Sequence, residues 1–165
     1  MIEDKIYLKT QYFPNQILIQ DSSISNSNPL NFLNDHIIVI GYNQTFLTFI
    51  NYLQLQFKDN YICLLTNTIE NDDAIFKKLL KKYKHFFCLK GDYLRISHLV
   101  TANVKQAKYI IINTGDYELN DVPQDESTIK NEVYKASTIF KVIDSNYNVP
   151  VLMLLNNHKY AERII

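Results

Sequence analysis

Five short apolar runs, each joined to the next by a turn and an amphipathic stretch, recur along the chain after residue 35. This alternation is typical of βαβ units, whose buried parallel strands are continuous runs of aliphatic and aromatic residues. The predicted strands are 36–40, 61–65, 86–89, 109–112 and 149–155. We therefore predict an α/β domain: a Rossmann-like three-layer fold in which helices flank a parallel sheet of five to six strands.

Apolar residues spaced three and four positions apart mark the connecting helices. They are predicted at 46–57, 75–83, 93–102 and 121–146, with a final amphipathic segment at 158–165. Asp92 is expected to cap the third helix, since an aspartate there can accept hydrogen bonds from the first N–H groups. Pro123 suits the first turn of the fourth helix.

The first 34 residues differ in character from the rest. Residues 21–29 form a polar run, with an apolar cluster at 17–19 before it. Because the polar run buries little surface, we predict an N-terminal arm or linker over residues 1–34 and the Rossmann-like lobe over residues 35–165.

Charge and hydropathy exclude several classes of protein. The 165 residues carry 17 basic and 17 acidic side chains, so nucleic acid is not an expected partner. No apolar run reaches the length needed to cross a bilayer, and no membrane insertion of this segment is expected. Cys63 and Cys88 lie in separate apolar runs, which predicts buried free thiols in a reducing compartment.

Glycines and polar residues at the ends of the predicted strands mark a candidate ligand-binding crevice. In doubly wound sheets, ligands bind outside the carboxyl ends of the strands, although glycine there also serves simply to turn the chain. The candidate residues are Gly41, Asn43, Asn67, Gly91, Asp92 and Gly115.

The first of these turns departs from the dinucleotide-binding pattern G-x-G-x-x-G. Residues 41–46 read GYNQTF, so Asn43 and Phe46 replace the second and third glycines. The second strand is followed by Asn67 rather than by the acid that binds ribose hydroxyls. Tight dinucleotide binding is therefore disfavoured, and no cofactor is expected.

Catalytic and metal-binding patterns are weak. The four histidines show no HxxxH or HExxH spacing, so we predict no catalytic residues and no enzyme. Asp116, Glu118 and Asp121 are candidates for a metal site, because carboxylates in loops bind hard cations such as Ca²⁺. The alternative is that acids here serve the electrostatics of the helix start that follows.

Four segments of the sequence are together similar to one known family. They are NFLNDHIIVIGY at 31–42, FFCLKGDYLRISHLVTANVKQAKYIIINTGD at 86–116, QDESTIKNEVYKASTIFKVI at 124–143 and VPVLMLL at 149–155. They resemble the RCK (regulator of potassium conductance) domain of BK-type (Slo family) calcium-activated potassium channels. The second segment is the most specific, with Gly91, Leu99, Val104 and Ala107 in the positions of the family pattern.

The resemblance implies a function. RCK domains of this family are cytosolic and assemble as a gating ring beneath the pore, so the implied partners are other RCK domains and the pore of the same subunit. The chain would then be the cytosolic part of a multi-pass membrane protein. NQILIQDSS at 15–23 resembles the lead-in to the second RCK domain of such channels.

The resemblance also leaves alternatives open. The family's calcium bowl follows the strand that here reads VPVLMLL, yet residues 156–165 contain only Glu162 as an acid. Ca²⁺ is therefore expected only for the full-length protein, and the bowl lies past Ile165 or is absent. A nucleotide-binding regulatory subunit of a potassium transporter (KTN/TrkA-like) is the main alternative function, and a small Rossmann-type enzyme is a third.

Overall fold

The computed structural model describes residues 5–11, 17–19, 30–42, 44–67, 74–92, 95–113 and 149–154. The strands are β1 (Ile6–Thr10), β2 (Ile17–Ile19), β3 (His36–Ile40), β4 (Ile62–Thr66), β5 (Phe86–Lys90), β6 (Ala107–Asn113) and β7 (Val151–Leu154). The helices are α1 (Gln44–Gln56), α2 (Ala74–Lys82) and α3 (Ile96–Thr101), and a 3₁₀ turn at Val104–Gln106 follows α3.

All seven strands form one sheet in the order β2-β1-β5-β4-β3-β6-β7. The five strands from β3 to β7 are mutually parallel, and β3 lies between β4 and β6. The chain thus winds outward from β3 in both directions, which is the doubly wound order of a Rossmann-like sheet. The predicted fold class is confirmed, and each predicted strand lies within two residues of its observed bounds.

Two further strands come from the segment predicted as an N-terminal arm. β1 pairs antiparallel with β5, and β2 pairs antiparallel with β1. Along β1, Ile6, Leu8 and Thr10 are buried while Tyr7 and Lys9 are half-buried, which is the alternation of a strand with one face on the core. The parallel part of the described sheet has five strands, as predicted, and these two antiparallel strands bring the described sheet to seven. The domain boundary at residues 34 and 35 stays a prediction.

The sheet separates two apolar layers. On one face, α1 and α2 pack Phe46, Ile50 and Phe76 against the sheet. On the other face, Leu99 of α3 and Leu33 of the turn before β3 pack against it. Every residue of β3 and β4 is buried, as expected for central strands covered on both sides.

Polar contacts fasten the α3 layer to the amino end of β3. The His36 side chain is buried, and its Nε2 lies 2.8 Å from the carbonyl oxygen of Ala102, to which it donates a hydrogen bond. Asn103, in the left-handed region with φ 55°, donates from Nδ2 to the carbonyl of Leu33 over 2.6 Å. Burial lowers the pKa of His36, although this hydrogen bond and the nearby Asp35 act in the opposite direction.

Some predicted elements lie outside the described residues. These are the polar run 21–29, the fourth helix at 121–146 and the segment at 158–165. Within the part of the chain that the structure describes, no helix is long and apolar enough to cross a membrane.

Candidate functional site

Two glycines extend the sheet by one residue at its carboxyl edge. The N–H of Gly41, after β3, donates to the carbonyl of Leu65 over 3.0 Å, and that of Gly91, after β5, donates to Thr66 over 2.9 Å. Gly41 has a φ of 92°, a conformation that costs a residue with a side chain about 1–3 kcal/mol. Glycine at position 41 is thus required by the backbone of the turn.

Aromatic side chains fill the space behind the Gly41 turn. Phe46 is fully buried, and its ring centroid lies 5.8 Å from that of Tyr42 and 6.1 Å from that of Phe86. In a dinucleotide-binding turn a glycine at this third motif position lets the helix approach the strand closely. Here a phenylalanine side chain separates them, so the packing is of a different kind from that of the nucleotide-binding motif.

Gly91 is required for space rather than for its backbone angle. A Cβ atom at this position would lie 2.9 Å from Nδ1 of His98, 3.0 Å from Cγ1 of Ile6 and 3.2 Å from Cδ1 of Ile6. Real Cβ atoms essentially never have neighbours closer than 3.0 Å, so the His98 side chain or the backbone would have to move. Gly91 therefore allows β1 and α3 to meet over the end of β5.

The loop between β5 and α3 is organised by the buried His98. Its Nδ1 accepts a hydrogen bond from the backbone N–H of Asp92 over 2.8 Å, so the neutral ring carries its proton on Nε2. The side chain of Asp92 lies 3.5 Å from Nε of Arg95. Both contacts hold the loop in one arrangement at the end of the sheet.

The structure corrects the predicted start of α3. The helix begins at Ile96 rather than at Tyr93, and its N-cap residue is Arg95, which makes no capping hydrogen bond through its side chain. Asp92 is therefore not the N-cap. It lies three residues ahead of Arg95, at the spacing that lets the two side chains form an ion pair.

A pocket of about 400 Å³ opens at this corner, where β1 and the loops after β4 and β5 come together. Its volume falls within the range of about 300–1,000 Å³ for small-molecule sites. The residues that line it are Lys5, Tyr7, Asn67, Lys90, Gly91, Asp92, Arg95 and His98. Three of the side chains are cationic and one is a carboxylate.

The pocket brings together three of the predicted crevice residues: Asn67, Gly91 and Asp92. Gly41 is not among its lining residues, although it follows a neighbouring strand. Asn43, Gly115 and the three candidate metal ligands Asp116, Glu118 and Asp121 lie outside the described residues. Their roles stay predictions.

Sequence analysis did not predict the other five lining residues, namely Lys5, Tyr7, Lys90, Arg95 and His98. Lys90 directly follows the predicted strand 86–89, and this position is a signal that sequence analysis can use. Lys5 and Tyr7 reach the pocket only through the antiparallel pairing of β1 with β5, which joins segments about 80 residues apart. No local pattern indicates such a pairing.

The thiols lie apart from the pocket, and burial keeps them protonated. Cys63 and Cys88 are free and buried on adjacent strands, in the apolar layers on opposite faces of the sheet. Burial raises the pKa of Cys63 to about 12. Burial also raises the pKa of Cys88, and the nearby Cys63 makes a smaller contribution in the same direction. Among the described residues, no group of three or more His, Cys, Asp or Glu side chains is placed to hold a metal ion.

Comparison with protein families gives a match over residues 32–151, from the turn before β3 to the start of β7. The matching family is the calcium-activated potassium channel slowpoke-like RCK domain. The chain belongs to this family. The match covers most of the chain and includes β3 to β6, so the sequence resemblance to Slo-type RCK domains is confirmed.

Solved structures show the same fold for this RCK domain. A GsuK channel bound to NAD superposes with a TM-score of 0.56 and 15% identity, covering 81% of this chain and 20% of that chain. A GsuK structure bound to ADP superposes with a TM-score of 0.54 and 15% identity, and the match covers 79% of this chain and 28% of that chain. The chain thus spans 20% and 28% of the length of these two proteins. No curated relative matches it significantly.

Proposed function

We propose that this RCK domain is a cytosolic, non-enzymatic regulatory domain of a calcium-activated potassium channel, which couples ligand binding to pore opening as part of a gating ring. The observation that carries the proposal is the slowpoke-like RCK match over residues 32–151. The doubly wound sheet, with a pocket at its carboxyl edge, supports it as a scaffold on which a ligand can act.

The packing of the described residues favours regulation over catalysis. A nucleophilic cysteine needs a thiolate, and the pKa of Cys63 is raised to about 12 in a fully apolar layer. His98 is buried, and its Nδ1 accepts a hydrogen bond from a backbone N–H, which gives the ring a structural role in the loop. A regulatory domain needs only that a ligand bind two packing states with different affinity.

The proposed partners are other RCK domains of the same ring and the pore of the same subunit. Large apolar side chains on the outer side of α1 support a surface for assembly, since Tyr52 and Leu55 are 62% and 66% exposed. In this proposal Ca²⁺ acts on the full-length protein.

A nucleotide-regulated potassium transport subunit is the second candidate, because both solved structures named above hold nucleotides. The buried Phe46 at the third motif position weighs against it. Thermal unfolding with NADH or ADP tests this directly, since a ligand at a hundred times its Kd adds about 2.7 kcal/mol of stability. We expect no saturable increase in the melting temperature with either nucleotide, and a saturable increase would favour the second candidate.

Current recording from the full-length protein tests the leading proposal. In inside-out patches, we expect potassium currents whose voltage dependence shifts when Ca²⁺ is applied to the cytosolic face. Absence of potassium current, or current that is indifferent to Ca²⁺, would contradict the proposal.

A further inference from the structure

We propose that the pocket between β1 and the β5–α3 loop binds a small anion that carries a phosphate group. Lys5, Lys90 and Arg95 line it, and Asp92 is the one carboxylate among its lining residues. These side chains leave a net of two positive charges, which complements the charge of about −1.5 to −2 on a phosphate monoester at neutral pH. Binding itself is argued from the pocket alone, and only its regulatory role in a channel rests on the proposed function.

The strand register explains why the cations converge. Tyr7 of β1 lies opposite Lys90 of β5 in the antiparallel pair, and both side chains are half-buried. Continuing this register by two residues brings Lys5 opposite Asp92. A strand from the N-terminal segment and the end of a central parallel strand therefore supply cationic side chains to one place.

The third cation is held in position by its neighbour. Nε of Arg95 lies 3.5 Å from a carboxylate oxygen of Asp92, and the two side chains are 32% and 38% exposed. Asp92 is itself held by the hydrogen bond from its backbone N–H to His98. A guanidinium held at a pocket wall suits phosphate, because its planar set of N–H donors matches two phosphate oxygens.

The size of the pocket and its other polar groups define the ligand further. A volume of about 400 Å³ is near the lower end of the range for small-molecule sites, which favours a compact ligand. The hydroxyl of Tyr7 and the amide of Asn67 add neutral hydrogen-bonding groups to the wall. These features favour a small phosphorylated molecule over a dinucleotide.

Lys5 and Tyr7 precede residue 32, where the family match begins. The part of the pocket that β1 supplies is therefore a feature of this chain beyond the matched RCK region. The same strand position explains why Gly91 has no side chain, since Ile6 and His98 meet there. β1 thus belongs to the architecture of the pocket.

Titration of the 165-residue chain with inorganic phosphate tests the inference. Binding is measured by calorimetry and by the rise in melting temperature, with ionic strength held constant by chloride. We expect saturable binding, with glycerol 3-phosphate binding at least as tightly. We expect Lys90→Gln and Arg95→Gln each to weaken it by about tenfold or more, as for loss of a charge-assisted hydrogen bond.

The matched control is Lys58→Gln, an equal change of charge at an exposed turn before β4, at the opposite edge of the sheet. We expect it to leave phosphate affinity within about twofold of the original. Melting temperatures without phosphate show whether each variant is folded, and Lys5→Gln, at an exposed position, gives a further pocket variant. Absence of saturable binding, or equal loss of affinity in Lys58→Gln and the pocket variants, would overturn the inference.

This outcome is separate from that of the proposed function. Phosphate binding is measured on the domain alone, whereas regulation is measured as current through the full-length channel. If the pocket binds phosphate and the channel ignores it, the inference stands and only its regulatory use fails. If NADH binds with an affinity unaffected by the pocket variants while phosphate does not bind, the inference is wrong.

Discussion

Substitution of Gly91 by alanine is the most informative perturbation of this structure, because Gly91 is where β1, β5 and α3 meet. The new Cβ would lie 2.9 Å from Nδ1 of His98 and 3.0 Å from Cγ1 of Ile6. Neither atom is the far end of a flexible side chain. Relief of the clash therefore requires the His98 ring or β1 to move, and displacement of the ring breaks its hydrogen bond with the N–H of Asp92.

The expected effect on stability follows from these two changes. Overpacking a well-packed site costs about 1–3 kcal/mol. Loss of the hydrogen bond to His98 adds about 1 kcal/mol. We therefore expect Gly91→Ala to lower the free energy of unfolding by about 2–4 kcal/mol, measured by urea denaturation of the 165-residue chain.

A double-mutant cycle separates this mechanism from a general intolerance of alanine. Ile6→Ala removes Cγ1 and Cδ1, two of the three close contacts, so Gly91→Ala should cost about 1 kcal/mol less in that background. Gly41→Ala is the control, since its cost arises from a φ of 92° and should be the same in both backgrounds. Equal costs of Gly91→Ala in the two backgrounds, or a cost below about 0.5 kcal/mol, would refute the reasoning.

Three further predictions concern the rest of the fold. Because burial lowers the pKa of His36, this side chain takes up a proton in the unfolded chain before it does so in the folded chain as the pH falls below 6.5. The free energy of unfolding should therefore fall there by at most about 1.4 kcal/mol per pH unit. His36→Gln should flatten this part of a curve of stability against pH, and an unchanged curve would contradict the assignment. Cys63 and Cys88 should both resist a thiol reagent such as DTNB at pH 8 in the folded chain, and both should react after unfolding in urea. Rapid reaction of either thiol in the folded chain would contradict its burial. Asn103→Ala should lower the free energy of unfolding by about 2 kcal/mol, because it loses the hydrogen bond to Leu33 and places alanine in a left-handed backbone conformation. Asn103→Gly loses only the hydrogen bond and should lower it by about half as much. Equal losses in the two variants would show that the backbone angle is unimportant.

The central parallel strands could be predicted from the sequence because strands buried on both faces are continuous apolar runs. Strand β3 has the predicted bounds, and β4 and β5 differ by one residue. By contrast, β1 alternates buried with half-buried residues, and it is stabilised as a strand by the edge of β5. Its place in the sheet is therefore a non-local property that periodicity in the N-terminal segment does not reveal.

The same distinction holds for the site. Asn67, Gly91 and Asp92 could be predicted together, because carboxyl ends of neighbouring parallel strands meet at one edge of a sheet. Arg95 could not, since its place depends on where α3 begins, and α3 begins three residues later than the pattern predicts. The need for glycine at position 91 could not be predicted either, because Ile6 and His98 approach this position only in the folded chain.

The measurement that tests the central claim most directly is the Ca²⁺ dependence of potassium current in inside-out patches that contain the full-length protein. If this RCK domain couples a ligand to the pore, Gly91→Ala should shift the relation between conductance and voltage at fixed cytosolic Ca²⁺, because it disturbs the packing of the domain. Lys58→Gln, at an exposed turn, should leave the relation unchanged. A current whose Ca²⁺ response is the same in the original protein and in Gly91→Ala would contradict the claim.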